Sequence, residues 1–251
     1  MAVTTPIDRS ELEFNHGSFD ADAFAAVALS SPQALAAVID HVLLGPAVTR
    51  AQVETLCHEA LRYRFASILV HPASVSISVG LLSGSGIPVG VALGFPFGAS
   101  LVSTLRHEAA TLCRLGARQF EMVVPLGQLK SGNHHAVHNA IHAVAPLVHH
   151  RGAILKVILE TSMLTMQEKL LAAEIAIQAG ADFIKTSTGF LGSGATAADI
   201  ALLRGVAGAR CGVCASGGIQ SLAQVKAFLE AGANRIATDS SVSILGELGA
   251  E

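Results

Sequence analysis

Charge is scarce in this chain. Only 14% of its 251 residues are charged, the net charge is −3, and no basic run occurs. That balance argues against nucleic acid as a main partner. Cysteine is also sparse, with four residues, Cys57, Cys113, Cys211 and Cys214. So few thiols fit a reducing cytoplasm better than a disulfide-stapled secreted domain. Cys211 and Cys214 have CxxC spacing, but there is no second CxxC and the segment reads as an apolar strand, so a metal or redox centre is disfavoured. Every long apolar stretch is interrupted by polar residues or glycine, which speaks against a membrane span. The first twenty residues are acidic and polar and lack the basic start and apolar core of a signal peptide. A Gly-rich dinucleotide fingerprint is missing too, which counts against a doubly wound open sheet.

What the chain has in quantity is apolar residues, 51% of the total. They fall into short runs at 38–43, 67–70, 89–94, 119–124, 154–159, 183–186, 212–215 and 235–238. Amphipathic segments alternate with them at 50–63, 103–115, 133–150, 165–179, 195–206 and 221–231. Strands alternating with helices predict parallel βα units. Three helical segments end in Gly-Ala and lead into a strand, at Gly116-Ala117, Gly180-Ala181 and Gly232-Ala233. A glycine just past a helix stops it in the left-handed conformation. Length and pattern together predict an α/β fold, a single (β/α)8 TIM barrel over 21–251. Residues 1–20 are expected to be a disordered tail, followed by one extra N-terminal helix that caps the bottom of the barrel.

Barrel chemistry sits at the C-terminal ends of strands. Asp40, His71, Glu121, Lys156, Glu160, Lys185, Ser216 and Thr238-Asp239-Ser240 all fall in or just after a predicted strand. Lys156 and Glu160, an even number apart, are placed on one face of the fifth strand. Lys185 is the most telling, since it stands in the apolar run Phe183-Ile184-Lys185-Thr186-Ser187. Burial disfavours an ammonium and favours the neutral amine, a nucleophile toward carbonyls. A lysine that snorkels to solvent is the bland alternative. On the helix 133–150, His134, His138 and His142 recur every fourth residue and share a face, which reads as a solvated polar face.

The order and spacing of several blocks are specific. They are Ile39-Asp40-His41-Val42-Leu43-Leu44, Gly94-Phe95-Pro96-Phe97-Gly98, Leu129-Lys130-Ser131-Gly132, Leu155 through Thr161, Phe183 through Phe190 with Gly194-Ala195-Thr196, and Ala215-Ser216-Gly217-Gly218-Ile219. From residue 39 to about 245 the chain resembles the deoxyribose-phosphate aldolase family, class I aldolases on a (β/α)8 barrel. The resemblance implies that Lys185 attacks an aldehyde donor, usually acetaldehyde, to form an imine. Loss of a proton gives an enamine, which adds to glyceraldehyde 3-phosphate. The protonated imine is the electron sink, so neither a metal nor an organic cofactor is required. Asp40 and Lys156 stand at polar active-site positions of the family, where they tune and orient, and Glu121 with a bound water moves protons. Thr186, Gly189, Ser216, Gly217, Gly218 and Ser240 are expected to bind substrate, with His71, Cys214 and Asp239 beside them.

The departures from the family pattern are as informative. Cys214 replaces a second lysine, whose charge helps keep the nucleophile neutral. Glu121 replaces an aspartate and is one methylene longer. Val42 replaces a threonine and loses a hydroxyl. In the last strand's loop the chain reads Ala237-Thr238-Asp239-Ser240-Ser241 where the family has a Gly-Thr-Ser-Ser-Gly-like pattern. A carboxylate there repels a phosphate if it points inward and spares it if it points outward. Three readings follow. The first is a Schiff-base aldolase acting on 2-deoxy-D-ribose 5-phosphate or an analogous aldol with a changed acceptor. The second is a lysine-dependent lyase or carboligase for another, non-phosphorylated carbonyl compound. The third is a catalytically silent barrel acting in binding. The expected partner is a small aldehyde or sugar phosphate, with neither nucleic acid nor membrane, in a cytoplasmic homodimer.

Overall fold

The computed structural model describes residues 19–250. Eight parallel strands close into a barrel in sequence order: β1 Ile39–Leu43, β2 Ser67–Val70, β3 Val89–Leu93, β4 Gln119–Val123, β5 Ile154–Ile158, β6 Phe183–Lys185, β7 Gly212–Ser216 and β8 Arg235–Thr238. Their apolar composition follows from burial on both faces, by the barrel interior and by the helices outside. The outer core includes Ile68, Phe120, Met122, Val157, Ile184 and Val213.

The connecting helices carry their own start and stop signals. Thr49, Thr165 and Ser221 each cap a helix through a reciprocal capping box. Gly116, Gly180 and Gly232 adopt φ of 104°, 102° and 108°. The alanine after each sends its N–H back five residues, from Ala117 to Leu112, Ala181 to Ala176 and Ala233 to Phe228. That bond turns the chain sharply from helix into strand.

The structure departs from the sequence expectations in three places. The helix expected over 133–150 is two, His134–His142 and Ala145–His149, because Pro146 has no N–H to donate and is tolerated only in a helix's first turn. Short helices Val75–Leu81, Leu126–Lys130 and Ser241–Ala250, lacking a clear apolar period, were not predicted. Before β1 stand two short helices rather than one, Ala21–Ala28 and Pro32–Ala36. The first packs along Leu222–Glu230 and the second against Ser241–Ala250, on the flank of the ring. The end of the second lies near the start of β2, where the Ala36 carbonyl accepts the Ala66 N–H. Of the expected tail, residues 1–18 lie outside the described residues. Asp20 accepts the Ala23 N–H as the cap of Ala21–Ala28, and Arg204 lies over the Phe19 ring at 3.9 Å.

Candidate active site

Side chains alternate across a strand, so residues an even number apart share a face. Gln119 and Glu121 on β4 face inward together, as do Phe183 and Lys185 on β6. Strand register sets Lys156 beside Glu121 and Phe183, and Lys185 beside Cys214. Asp40 stands opposite Ser67 on β2 and Ala237 on β8. The barrel interior is therefore ionic, and Asp40, Glu121 and Lys156 are 0% exposed, with Lys185 at 2%.

Each of these charges is paired, as burial requires. Lys185 Nζ donates to Glu121 Oε2 at 2.5 Å. Lys156 Nζ donates to Asp40 Oδ2 and stands 4.0 Å from Glu121 Oε1. Ser67 Oγ donates to the other Asp40 oxygen at 2.5 Å, and Gln119 Nε2 donates to Ser67 Oγ at 3.1 Å. Arg235 Nη1 lies 3.7 Å from Asp40 Oδ1, beneath Phe183. Glu121 thus bridges two lysines, and Asp40 anchors the second of them. Burial alone would push the Asp40 carboxyl up, but the Lys156 ammonium and Arg235 guanidinium outweigh it and hold it at about 2.

Lys185 corrects one expectation. Burial favours its neutral form, yet the Glu121 carboxylate overrides burial and raises the amine above its ordinary value. The site is therefore an ion pair of Lys185 with Glu121. Cys214 is fully buried beside Lys185, and burial pushes its thiol up to about 11, so it stays a neutral neighbour. Cys211 Sγ donates to the Ala181 carbonyl and stands ahead of β7, whereas Cys214 lies within β7 in register with Lys185. The CxxC spacing therefore brings no thiol pair together.

Above this network a cavity of about 310 Å³ opens at the C-terminal end of the barrel. Gly189, Ser216, Gly217, Gly218 and Asp239 line it, together with Val42, Thr188 and Phe190. Thr186, Ser240, His71 and Cys214 do not, and neither does Lys185. The Thr186 hydroxyl donates to the Ser216 carbonyl and accepts the Ser216 N–H, both at 2.9 Å, and so ties β6 to β7. The Ser240 N–H is taken by Thr238 Oγ1. His71 makes no cap and hydrogen-bonds the carbonyl of Gly45, a residue that lines the cavity. Glu160 does not share a strand face with Lys156, because β5 ends at Ile158. It adopts φ 58°, and its carboxylate accepts the Thr188 N–H at 2.9 Å, fixing the loop after Lys185. Ser67, Gln119 and Arg235 were not singled out from the sequence. Their only signal there is alternation with known inward positions, and strand register is what joins them to Asp40.

The comparisons with known proteins agree with this site. The model of the DeoC/LacD family of aldolases matches residues 34–244. The deoxyribose-phosphate aldolase of Lysinibacillus sphaericus is 44% identical over 216 residues, 86% of this chain and 96% of that protein. The enzyme of that name from Thermoanaerobacter is 42% identical over 214 residues, 85% of this chain and 96% of that protein. Among solved structures, the tetrameric deoxyribose phosphate aldolase of Aeropyrum pernix superposes with a TM-score of 0.85 at 31% identity, covering 92% of this chain and 97% of that one. With a lysine–glutamate pair at the heart of a closed barrel and a family match over most of its length, the chain belongs to the DeoC/LacD family of aldolases.

Proposed function

We propose that the protein is a class I aldolase that reversibly cleaves 2-deoxy-D-ribose 5-phosphate to acetaldehyde and glyceraldehyde 3-phosphate, the reaction its relatives' name points to. The observation that carries the reading is the buried contact of Lys185 Nζ with Glu121 Oε2 at 2.5 Å. Moving one proton across it turns an ion pair into a neutral amine and a neutral acid, with no charge sent to solvent. The amine then adds to the donor carbonyl. Glu121 returns its proton to the departing hydroxyl as water leaves, and the iminium forms. The Glu121 carboxylate next takes a proton from the adjacent carbon, giving the enamine that adds to the acceptor aldehyde. Lys156, held by Asp40, keeps a positive charge 4.0 Å from Glu121 and steadies its anionic form. Gly217 and Gly218 offer backbone N–H groups to the far end of the substrate.

The test is to incubate the protein with acetaldehyde and borohydride and to locate the reduced adduct by peptide mass spectrometry. The expected product is an ethyl group on Lys185, absent in Lys185→Met. An unmodified lysine in the folded protein sinks the reading.

The assembly we infer is a cytoplasmic homodimer. Met163, Met166, Leu170 and Leu171 leave an apolar strip exposed around helix Met166–Gln178, and the four cysteines are unpaired and buried. Among the described residues no helix is long and apolar enough to cross a membrane. Light scattering after size exclusion reads the mass, and a monomer would overturn the dimer.

A further inference from the structure

A second cavity, of about 500 Å³, lies outside the barrel and shares no lining residue with the one at its mouth. It runs between helix Val102–Leu115 and the pair His134–His142 and Ala145–His149. Arg106, Ala110, Cys113 and Arg114 recur at helical spacing and turn one face of the first helix toward it. Across from them, His142, Pro146 and His150 step by four, as do Ala143, Leu147 and Arg151. Burial separates a floor from a rim. Ala110, Cys113, Ala143 and Leu147 are buried or half-buried, whereas the three arginines and both histidines are exposed. The rim arginines lack anionic partners. Arg106 and Arg151 form no hydrogen bond or ion pair with any described residue, and Arg114 donates only to the Thr111 hydroxyl, at 2.9 Å. Elsewhere on the surface, Arg50 and Arg210 are paired with Glu54 and Glu174. No carboxylate lines the groove. Glu108, the one acidic residue in these three helices, lies two positions from Arg106 and so turns away. A cation in the last turn of a helix, as Arg114 is, also answers the helix dipole, but Arg106 stands in the second turn and does not.

We propose that this groove is a binding site for a nucleoside polyphosphate, its phosphates held by the arginines and its base laid over the apolar floor. A guanidinium presents a rigid fork of donors that matches phosphate oxygens in pairs, and it also stacks on aromatic rings. Three such groups in one groove, with no carboxylate among them, suit several phosphate charges rather than one. The apolar floor gives the flat face of a base a surface to cover. A cavity of about 500 Å³ falls within the range of small-molecule sites and is larger than a lone phosphate ion requires. Nothing in this site depends on Lys185 or on the aldol reading.

The experiment is calorimetric titration of the native protein with ATP in metal-free, low-salt buffer, beside tripolyphosphate and adenosine. The expected result is one ATP bound per chain, with tripolyphosphate, which lacks the base, weaker by about tenfold and adenosine weaker still. The double variant Arg114→Gln, Arg151→Gln is expected to bind ATP about tenfold more weakly, since it loses two exposed guanidinium contacts. Arg50→Gln, on another helix, is expected to bind as the native protein does. Added salt weakens ATP binding, because the rim charges are exposed. Excess 2-deoxy-D-ribose 5-phosphate is expected to leave the ATP isotherm unchanged. No saturable binding of ATP overturns the proposal, as does a double variant that binds it with native affinity. An equal loss in Arg50→Gln would trace the binding to overall charge, and displacement by the sugar phosphate would place ATP at the barrel mouth; either refutes the groove. Tripolyphosphate binding as tightly as ATP refutes the nucleoside.

Discussion

A thiol stands where a second ammonium would sensitise the nucleophile. Cys214 pairs in register with Lys185 and is fully buried, and it brings no positive charge. Glu121 meanwhile holds the Lys185 proton on. Replacing Cys214 by lysine places a like charge beside the amine, which lowers its pKa by a unit or more. The expected outcome is borohydride trapping with acetaldehyde that is about tenfold faster at neutral pH and has its midpoint shifted to lower pH. The longer side chain overpacks the barrel, at a cost of about 1–3 kcal/mol read as a lower Tm. Slower trapping across the whole pH range would mean that the thiol itself assists. At this scale the buried lysine and its carboxylate partner were legible in the sequence, because a charge in an apolar run is conspicuous. It did not show the protonation state, which depends on an ion pair between residues 64 positions apart.

Elements were legible where they follow local rules. Helix Arg50–Tyr63 is bounded as its pattern predicted, with a capping box at one end. The Gly-Ala stops mark true helix ends. The break ahead of Pro146 obeys a local rule as well, since proline is tolerated only in a helix's first turn, but the helical periodicity of 133–150 runs across it. Contacts between loops were not legible, and one of them shapes the cavity. Gly194, in the segment after β6, lies against the turn after β7, where a Cβ would stand 1.8 Å from the Gly217 carbonyl oxygen. The next residue fastens the same turn, as the Ala195 N–H donates to that oxygen at 3.0 Å. Gly194→Ala is therefore expected to displace the Gly217-Gly218 turn, raise KM and destabilise by about 1–3 kcal/mol. Gly205→Ala, inside helix Ala197–Ala207 where a Cβ meets nothing within 4 Å, is expected to stabilise by about 0.5–1 kcal/mol with KM unchanged. Paired melting curves and KM values check both, and a Gly194→Ala protein with native KM would refute the coupling.

For the molecule as a whole, the barrel was legible because its strands and helices alternate with regular stops, and closure in sequence order needs nothing further. The interior was less so, since which inward residues meet is a matter of register. One consequence is a defined response to acid. The Asp40 carboxyl is held at about 2 against an ordinary 3.8, so its ionised form stabilises the fold above pH 3.8 and that contribution is lost as pH falls toward 2. The shift is worth roughly 2 kcal/mol. Lys185 runs the other way, since its raised value makes a contribution present below its ordinary 10.5 and lost only at higher pH. Lys156→Met strands Asp40 without its ammonium, so its acid-unfolding midpoint is expected at higher pH than the native one, and it is expected to lose about 3–5 kcal/mol at neutral pH. Denaturant titrations across pH measure this, and superimposable native and variant curves would refute it.

The bridging position of Glu121 has an isotopic consequence. Its carboxylate is 0% exposed and lies between two lysines rather than at a water-filled mouth. A deuteron lifted from the methyl group of labelled acetaldehyde therefore has no quick route to bulk solvent and is handed back to the carbon it left. Label washout measured by NMR is expected to lag well behind turnover to aldol product. Washout as fast as turnover would mean that solvent reaches the acid during the cycle. On the reading proposed above, an acid enclosed in this way is expected to keep stereochemical memory at the donor carbon, so a chirally labelled methyl group is the substrate that reads it out.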